Sequence, residues 1–184
     1  NESNKFQFSK IISGAKSRDY LSSLDWLIAS NMVTISSLVS TPEIPLKGYV
    51  KDDTFKLFLN DVGIMNSLLE TKVSDILTDN LSLYKGVITE NFVAEELQSM
   101  NYSLYYWQSS ATAEIDFVID TQDGVIPLEV KSGNHVQSKS LNVYMEKYHP
   151  KYGVRISTRN FGYDKEKHIK SIPLYAVFCL NYIK

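Results

Sequence analysis

The sequence predicts an α/β fold: a mixed β-sheet flanked by helices over residues 81–184, preceded over residues 1–80 by a helical, winged-helix-like segment. Three observations carry this reading. A stretch of helical periodicity at 84–101 leads into three short strand-like runs. The last two of these runs are joined by a four-residue turn, which makes them an antiparallel hairpin. A second helical stretch and a further strand-like run follow, and the order helix, antiparallel strands, helix, strand is that of a sheet covered by helices.

In chain order, "SRDYLSSLDWLIASNM" (17–32) places Tyr20, Leu21, Leu24, Leu27, Ile28 and Met32 three and four residues apart, the pattern of an amphipathic helix. "VTISSLVS" (33–40) reads as a strand. "TPEIPLKGYVKDD" (41–53), with two prolines and a glycine, reads as a loop or hairpin connection. "FKLFLND" (55–61) is a second strand, and Asn60 or Asp61 can cap the short helix "VGIMNSLLE" (62–70). Helix then two strands is compatible with a winged-helix arrangement.

Beyond residue 80, "YKGVITENFVAEELQSMN" (84–101) aligns Val87, Phe92, Val93, Leu97 and Met100 along one stripe, with Glu90, Glu95 and Glu96 interspersed. Helix glutamates are usually solvated, and Glu95 and Glu96 are expected at the surface. Strands follow at "LYYWQS" (104–109), "EIDFVID" (114–120) and "VIPLEVK" (125–131), with "TQDG" as the turn between the last two. A helix across 138–150 ends at Pro150, and "GVRIST" (153–158) is a strand.

Hydrophobic content of 43% and charged content of 22% are those of a soluble globular protein. No apolar run approaches the roughly 20 residues of a membrane span, and "NESNKFQFSK" lacks the core of a signal peptide. A single cysteine, Cys179, excludes an internal disulfide framework and suits a reducing, cytoplasmic setting. Charge is divided along the chain. Residues 1–130 hold 9 Lys/Arg against 18 Asp/Glu, net −9; residues 131–184 hold 10 against 3, net +7. Such asymmetry can mark a surface for nucleic acid or acidic partners, through residues such as Lys139, Lys147, Lys151, Arg155 and Arg159.

The chemistry centres on "IPLEVKSG" (126–133). Strand alternation sends Leu128 and Val130 to one side and Glu129 and Lys131 to the other. In "EIDFVID", the same alternation predicts Ile115, Phe117 and Ile119 on one face and Glu114, Asp116 and Val118 on the other. Across the hairpin, Asp116 and Glu129 belong to adjacent strands. Two close carboxylates repel unless a cation intervenes, and Mg²⁺ is the natural candidate because it takes hard oxygen ligands. Lys131 would then orient an attacking water or offset charge on a phosphate. Tyr105, Tyr106 and Trp107 can stack on bases, although strand aromatics more often pack in a core. His135, His149 and His168 have no partner at metal-ligand spacing.

Asp116, a hairpin turn and then Glu129-Val130-Lys131 resemble the D…ExK signature of the PD-(D/E)xK nuclease superfamily, with Glu90 where that superfamily often has a further acidic residue. More narrowly, "ENFVAEEL", "YYWQSSATAEIDFVID" and "IPLEVKSG", with "FKLFLNDVGIMNSLL" upstream, are similar to the C-terminal domain of unknown function of bacterial and archaeal AAA-type ATPases. The resemblance implies a restriction-endonuclease-like fold with Glu90, Asp116, Glu129 and Lys131 as catalytic positions. It implies Asp116 and Glu129 as ligands to Mg²⁺ (or Mn²⁺), and a nuclease-like activity on, or binding to, DNA phosphodiesters. No G-x-x-x-x-G-K-S/T occurs in the chain, so the ATPase module is expected elsewhere in a longer protein. The alternative reading is a noncatalytic DNA- or protein-interaction or regulatory module of that ATPase.

Overall fold

A computed structural model of the chain describes residues 20–78, 81, 84–133 and 138–182. The first helix, α1 (Leu21–Ala29), is shorter than its periodicity suggests: Ser30 ends it, and Asn31 turns the chain at a positive φ of 57° into β1 (Val33–Val39). Residues 17–19 lie outside the described residues. A 3-10 turn (Leu46–Tyr49) leads into β2 (Val50–Leu59), which starts inside the stretch expected to be loop. The cause is pairing, because a register shift after Ser37 lets Val39 face Val50 and extends the ladder. Asp61 caps α2 (Val62–Leu68) as expected, its Oδ1 accepting from Gly63 N at 2.6 Å and Ile64 N at 3.0 Å.

A short α3 (Val73–Leu77) precedes the long α4 (Lys85–Ser99). Then come β3 (Tyr105–Gln108), β4 (Glu114–Thr121), β5 (Gly124–Val130), α5 (Lys139–Tyr148) and β6 (Gly153–Ser157). Gly124 opens β5 at φ 98°, a conformation that costs glycine nothing and explains the Asp-Gly turn. Beyond β6, β7 (Gly162–Asp164) and β8 (Ile169–Pro173) form a charged hairpin turning at His168, which no alternating apolar pattern marks in the sequence. A 3-10 segment (Leu174–Tyr182) follows.

Among the described residues the strands form one eight-stranded sheet, in the order β2-β1-β3-β4-β5-β6-β8-β7. It is mixed: β1–β2, β3–β4, β4–β5 and β7–β8 run antiparallel, whereas β1–β3, β5–β6 and β6–β8 run parallel. Helices cover both faces. Val93, Ala94 and Leu97 of α4 pack with Phe58, Phe117, Ile119, Ile126 and Leu128 on one side. Leu141 and Tyr144 of α5 pack with Val39, Trp107, Ile115 and Val118 on the other.

The helix and two strands expected in the first segment are present, but the strands do not stand apart as a wing. β1 lies in parallel beside β3, so residues 33–59 extend the sheet of the second segment. A polar stripe on α4 secures the join. Asn91 Oδ1 accepts from Leu59 N and its Nδ2 donates to Leu59 O, both at 2.9 Å. Glu95 Oε2 accepts from Val62 N at 3.0 Å, and Gln98 Oε1 accepts from Thr34 Oγ1 at 2.7 Å. Glu95, expected at the surface, is thus half-buried and tied to α2, because the N-terminus of that helix leaves a backbone N–H in need of an acceptor.

The facing expected along β4 is corrected by a register shift. Tyr105 pairs with Val118 and Trp107 with Ile115, so β4 advances three residues while β3 advances two. An extra residue of this kind interrupts alternation. Ile115 and Val118 therefore both pack on the α5 side, while Phe117 and Ile119 pack on the α4 side. Asp116 lies inside the irregular stretch.

Candidate functional site

The site begins with a lysine of β2 that no motif in the sequence singles out. Lys56 sits two residues before Phe58 on β2 and shares its face, turned toward α4. Only 1% of Lys56 is exposed. A buried ammonium is tolerated only when paired. Its Nζ lies 2.7 Å from Glu90 Oε1 on α4 and 2.7 Å from Glu114 Oε1 at the start of β4. The Tyr106 ring lies beneath it, 5.1 Å from Nζ to the ring centroid. Burial by itself lowers the pKa of such a group, but the Glu90, Asp116 and Glu114 carboxylates together outweigh burial and hold it above the ordinary lysine value. The one legible signal was a lone lysine in the apolar strand "FKLFL".

Asp116 stands one step beyond the last paired residues of the hairpin, Phe117 and Leu128. Its Oδ2 accepts from Val130 N at 2.7 Å, so the carboxylate takes a backbone donor of β5 and ties the irregular stretch of β4 to it. Burial and then the nearby Glu90 charge push its pKa up; Lys56 and the Val130 N–H pull it down; Glu129 adds a further upward push, and the result is about 7.

Glu129 is 2% exposed. Its Oε1 is 2.9 Å from Lys131 Nζ, so the two side chains meet on one side of β5 as alternation predicts. Its Oε2 is buried and has no hydrogen-bond partner among the described residues. An orphaned carboxylate oxygen in such a place is costly unless something binds it.

Of the four expected residues, three fall into two ion-paired groups: Glu90 with Lys56, which also holds Glu114, and Glu129 with Lys131. Asp116 is electrostatically coupled to both. Glu114, at the start of β4, is held by Lys56 and not by Lys131. The hard oxygens of Asp116 and Glu129, one of them orphaned, suit a cation such as Mg²⁺. Among the described residues no three or more His, Cys, Asp or Glu converge in a metal-holding group. An ion here would thus take two protein carboxylates and complete its shell with water or substrate oxygens.

The aromatic run packs rather than presenting itself to bases. Tyr106 and Trp107 are buried, and Trp107 Nε1 donates to Tyr148 Oη at 3.0 Å. Several basic residues are engaged locally: Lys147 stacks over Trp107 and Tyr148, Lys151 pairs with Asp123, and Arg155 Nε donates to Ser138 Oγ at 2.7 Å. His149 ends α5 in the left-handed region, His168 Nδ1 lies 3.1 Å from Tyr163 Oη, and His135 lies outside the described residues.

A family model described as a domain of unknown function, DUF4143, matches residues 85–177, and a second, DUF8612, also of unknown function, matches residues 1–75. Glu90, Glu114, Asp116, Glu129 and Lys131 lie in the first of these segments and Lys56 in the second. No curated protein and no solved structure matches the chain. Among the described residues no helix is long and apolar enough to cross a membrane.

Proposed function

We propose that this chain, which belongs to the DUF4143 family of domains of unknown function, is a Mg²⁺- or Mn²⁺-dependent nuclease-like module that acts on or binds DNA phosphodiesters. The observation that supports this most is the hairpin arrangement: Asp116 half-buried at the irregular stretch of β4 with its Oδ2 on Val130 N, Glu129 buried with one oxygen unpartnered among the described residues, and Lys131 2.9 Å from its other oxygen. Asp116 and Glu129 would hold the ion. When bound, it would supply Lewis-acid stabilisation of charge on a phosphoryl oxygen. Lys131, half-buried beside Glu129, offsets negative charge brought in by a phosphate and can orient a water through its remaining N–H donors. Glu90, fixed on α4 by Lys56, sets the field in which Asp116 works. Resemblance to the C-terminal domains of AAA-type ATPases supports an ATPase module in the same full-length protein, in a cytoplasmic setting.

A second reading, a noncatalytic DNA- or protein-interaction or regulatory module of that ATPase, is favoured by one feature. Lys56 already neutralises Glu90 and Glu114, and Lys131 is already paired. The test is incubation of the chain with branched, linear and single-stranded DNA, with and without Mg²⁺ or Mn²⁺, beside Asp116→Ala and Lys131→Ala. Metal-dependent cleavage lost in both variants supports the nuclease. Absence of both cleavage and metal binding leaves the interaction module.

A further inference from the structure

We infer that Lys56 takes the place of a second cation in this cluster, so that the site accepts a single divalent ion, at Asp116 and Glu129, and withholds Glu90 and Glu114 from it. This rests on the metal-dependent reading above and sharpens it. Centres that hold two divalent ions place them about 3.5–4 Å apart among shared carboxylates. Here an ammonium already lies 2.7 Å from an oxygen of each of two carboxylates, Glu90 and Glu114, and is itself almost wholly buried.

Charge counting agrees. Glu90, Glu114, Asp116 and Glu129 carry four negative charges when ionised, and Lys56 and Lys131 return two positive ones. The remainder matches one divalent ion. The unmet acceptor also falls on the right residue: among the described residues Glu129 Oε2 has no partner, whereas both Lys56 carboxylates are paired. Two further buried polar atoms belong to residues beside Lys56. Tyr106 Oη, close enough to Glu114 and Lys56 to feel both charges, and the Oγ of Ser36, whose Cα pairs with that of Lys56 across the β1–β2 ladder, have no hydrogen-bond partner among the described residues. Lys56 is thus a positioning residue supplied by β2, and the site within residues 85–177 is incomplete without the segment that precedes it.

The test is a Mn²⁺ titration of the whole chain, reading free ion by electron paramagnetic resonance, with circular dichroism as a check of fold. Wild type is expected to bind a single ion. Glu129→Gln is expected to weaken binding about tenfold or more, whereas Glu90→Gln changes it far less. Lys56→Gln gains a second ion, and Lys56→Arg, which keeps the charge, does not. Two ions on wild type, or a folded Lys56→Gln that still takes one, would overturn the inference and leave the metal-dependent reading intact. No ion on wild type overturns that reading and the inference with it. Should Lys56→Gln fail to fold, the wild-type stoichiometry and the Glu90→Gln comparison decide.

Discussion

Asp116 shows how a single side chain can oppose the stability of the fold that places it. With a pKa of about 7 in the folded chain against 3.8 for an ordinary aspartate, it binds its proton more tightly when folded. Its contribution to stability is therefore fully present below the ordinary value and is lost as pH rises toward 7. Asp116→Asn removes that dependence. In buffer with a chelator the variant is expected to be more stable than wild type by about 1–3 kcal/mol above pH 7, with the difference vanishing near pH 4. Urea unfolding at the two pH values checks this, and an equal difference at both would refute it. Lys56 behaves in the opposite sense. Lys56→Met leaves Glu90 buried without its counter-ion and is expected to cost about 3–5 kcal/mol. Lys56→Met with Glu90→Gln should recover part of that loss in the same urea measurement.

At the scale of elements, α4 has two jobs divided between two stripes. Val93, Ala94 and Leu97 build the core against the sheet, while Glu90, Asn91, Glu95 and Gln98 hold the preceding segment. The apolar stripe was legible because helical spacing reports itself in sequence. The polar one was not, since a glutamate bound to a distant backbone N–H looks the same in sequence as one in water. Asn91→Ala removes both hydrogen bonds to Leu59 and is expected to cost about 1–3 kcal/mol. Hydrogen exchange should show the Leu59 amide losing protection before its neighbours in β2. The β4 irregularity escaped the sequence for a related reason. Alternation predicts a regular strand, and only pairing with β3 reveals the extra residue.

For the whole molecule, one sheet runs through two segments that match separate family models. Residues 81–184 produced alone should therefore be much less stable than the whole chain, because β3 loses β1 as its neighbour and Glu90 loses Lys56. Thermal unfolding of the two forms tests this, and equal midpoints would show the segments to be independent. The sequence by itself determined the α/β class, the two long helices, the hairpin and the adjacency of Glu129 and Lys131. All of these follow from periodicity and turn chemistry within a few residues. The tertiary structure alone decided that β1 and β2 join the same sheet, that an irregular stretch of β4 carries Asp116, and that Lys56 neutralises Glu90 and Glu114. Each of these depends on residues far apart in the chain, where burial rather than local pattern chooses the partner.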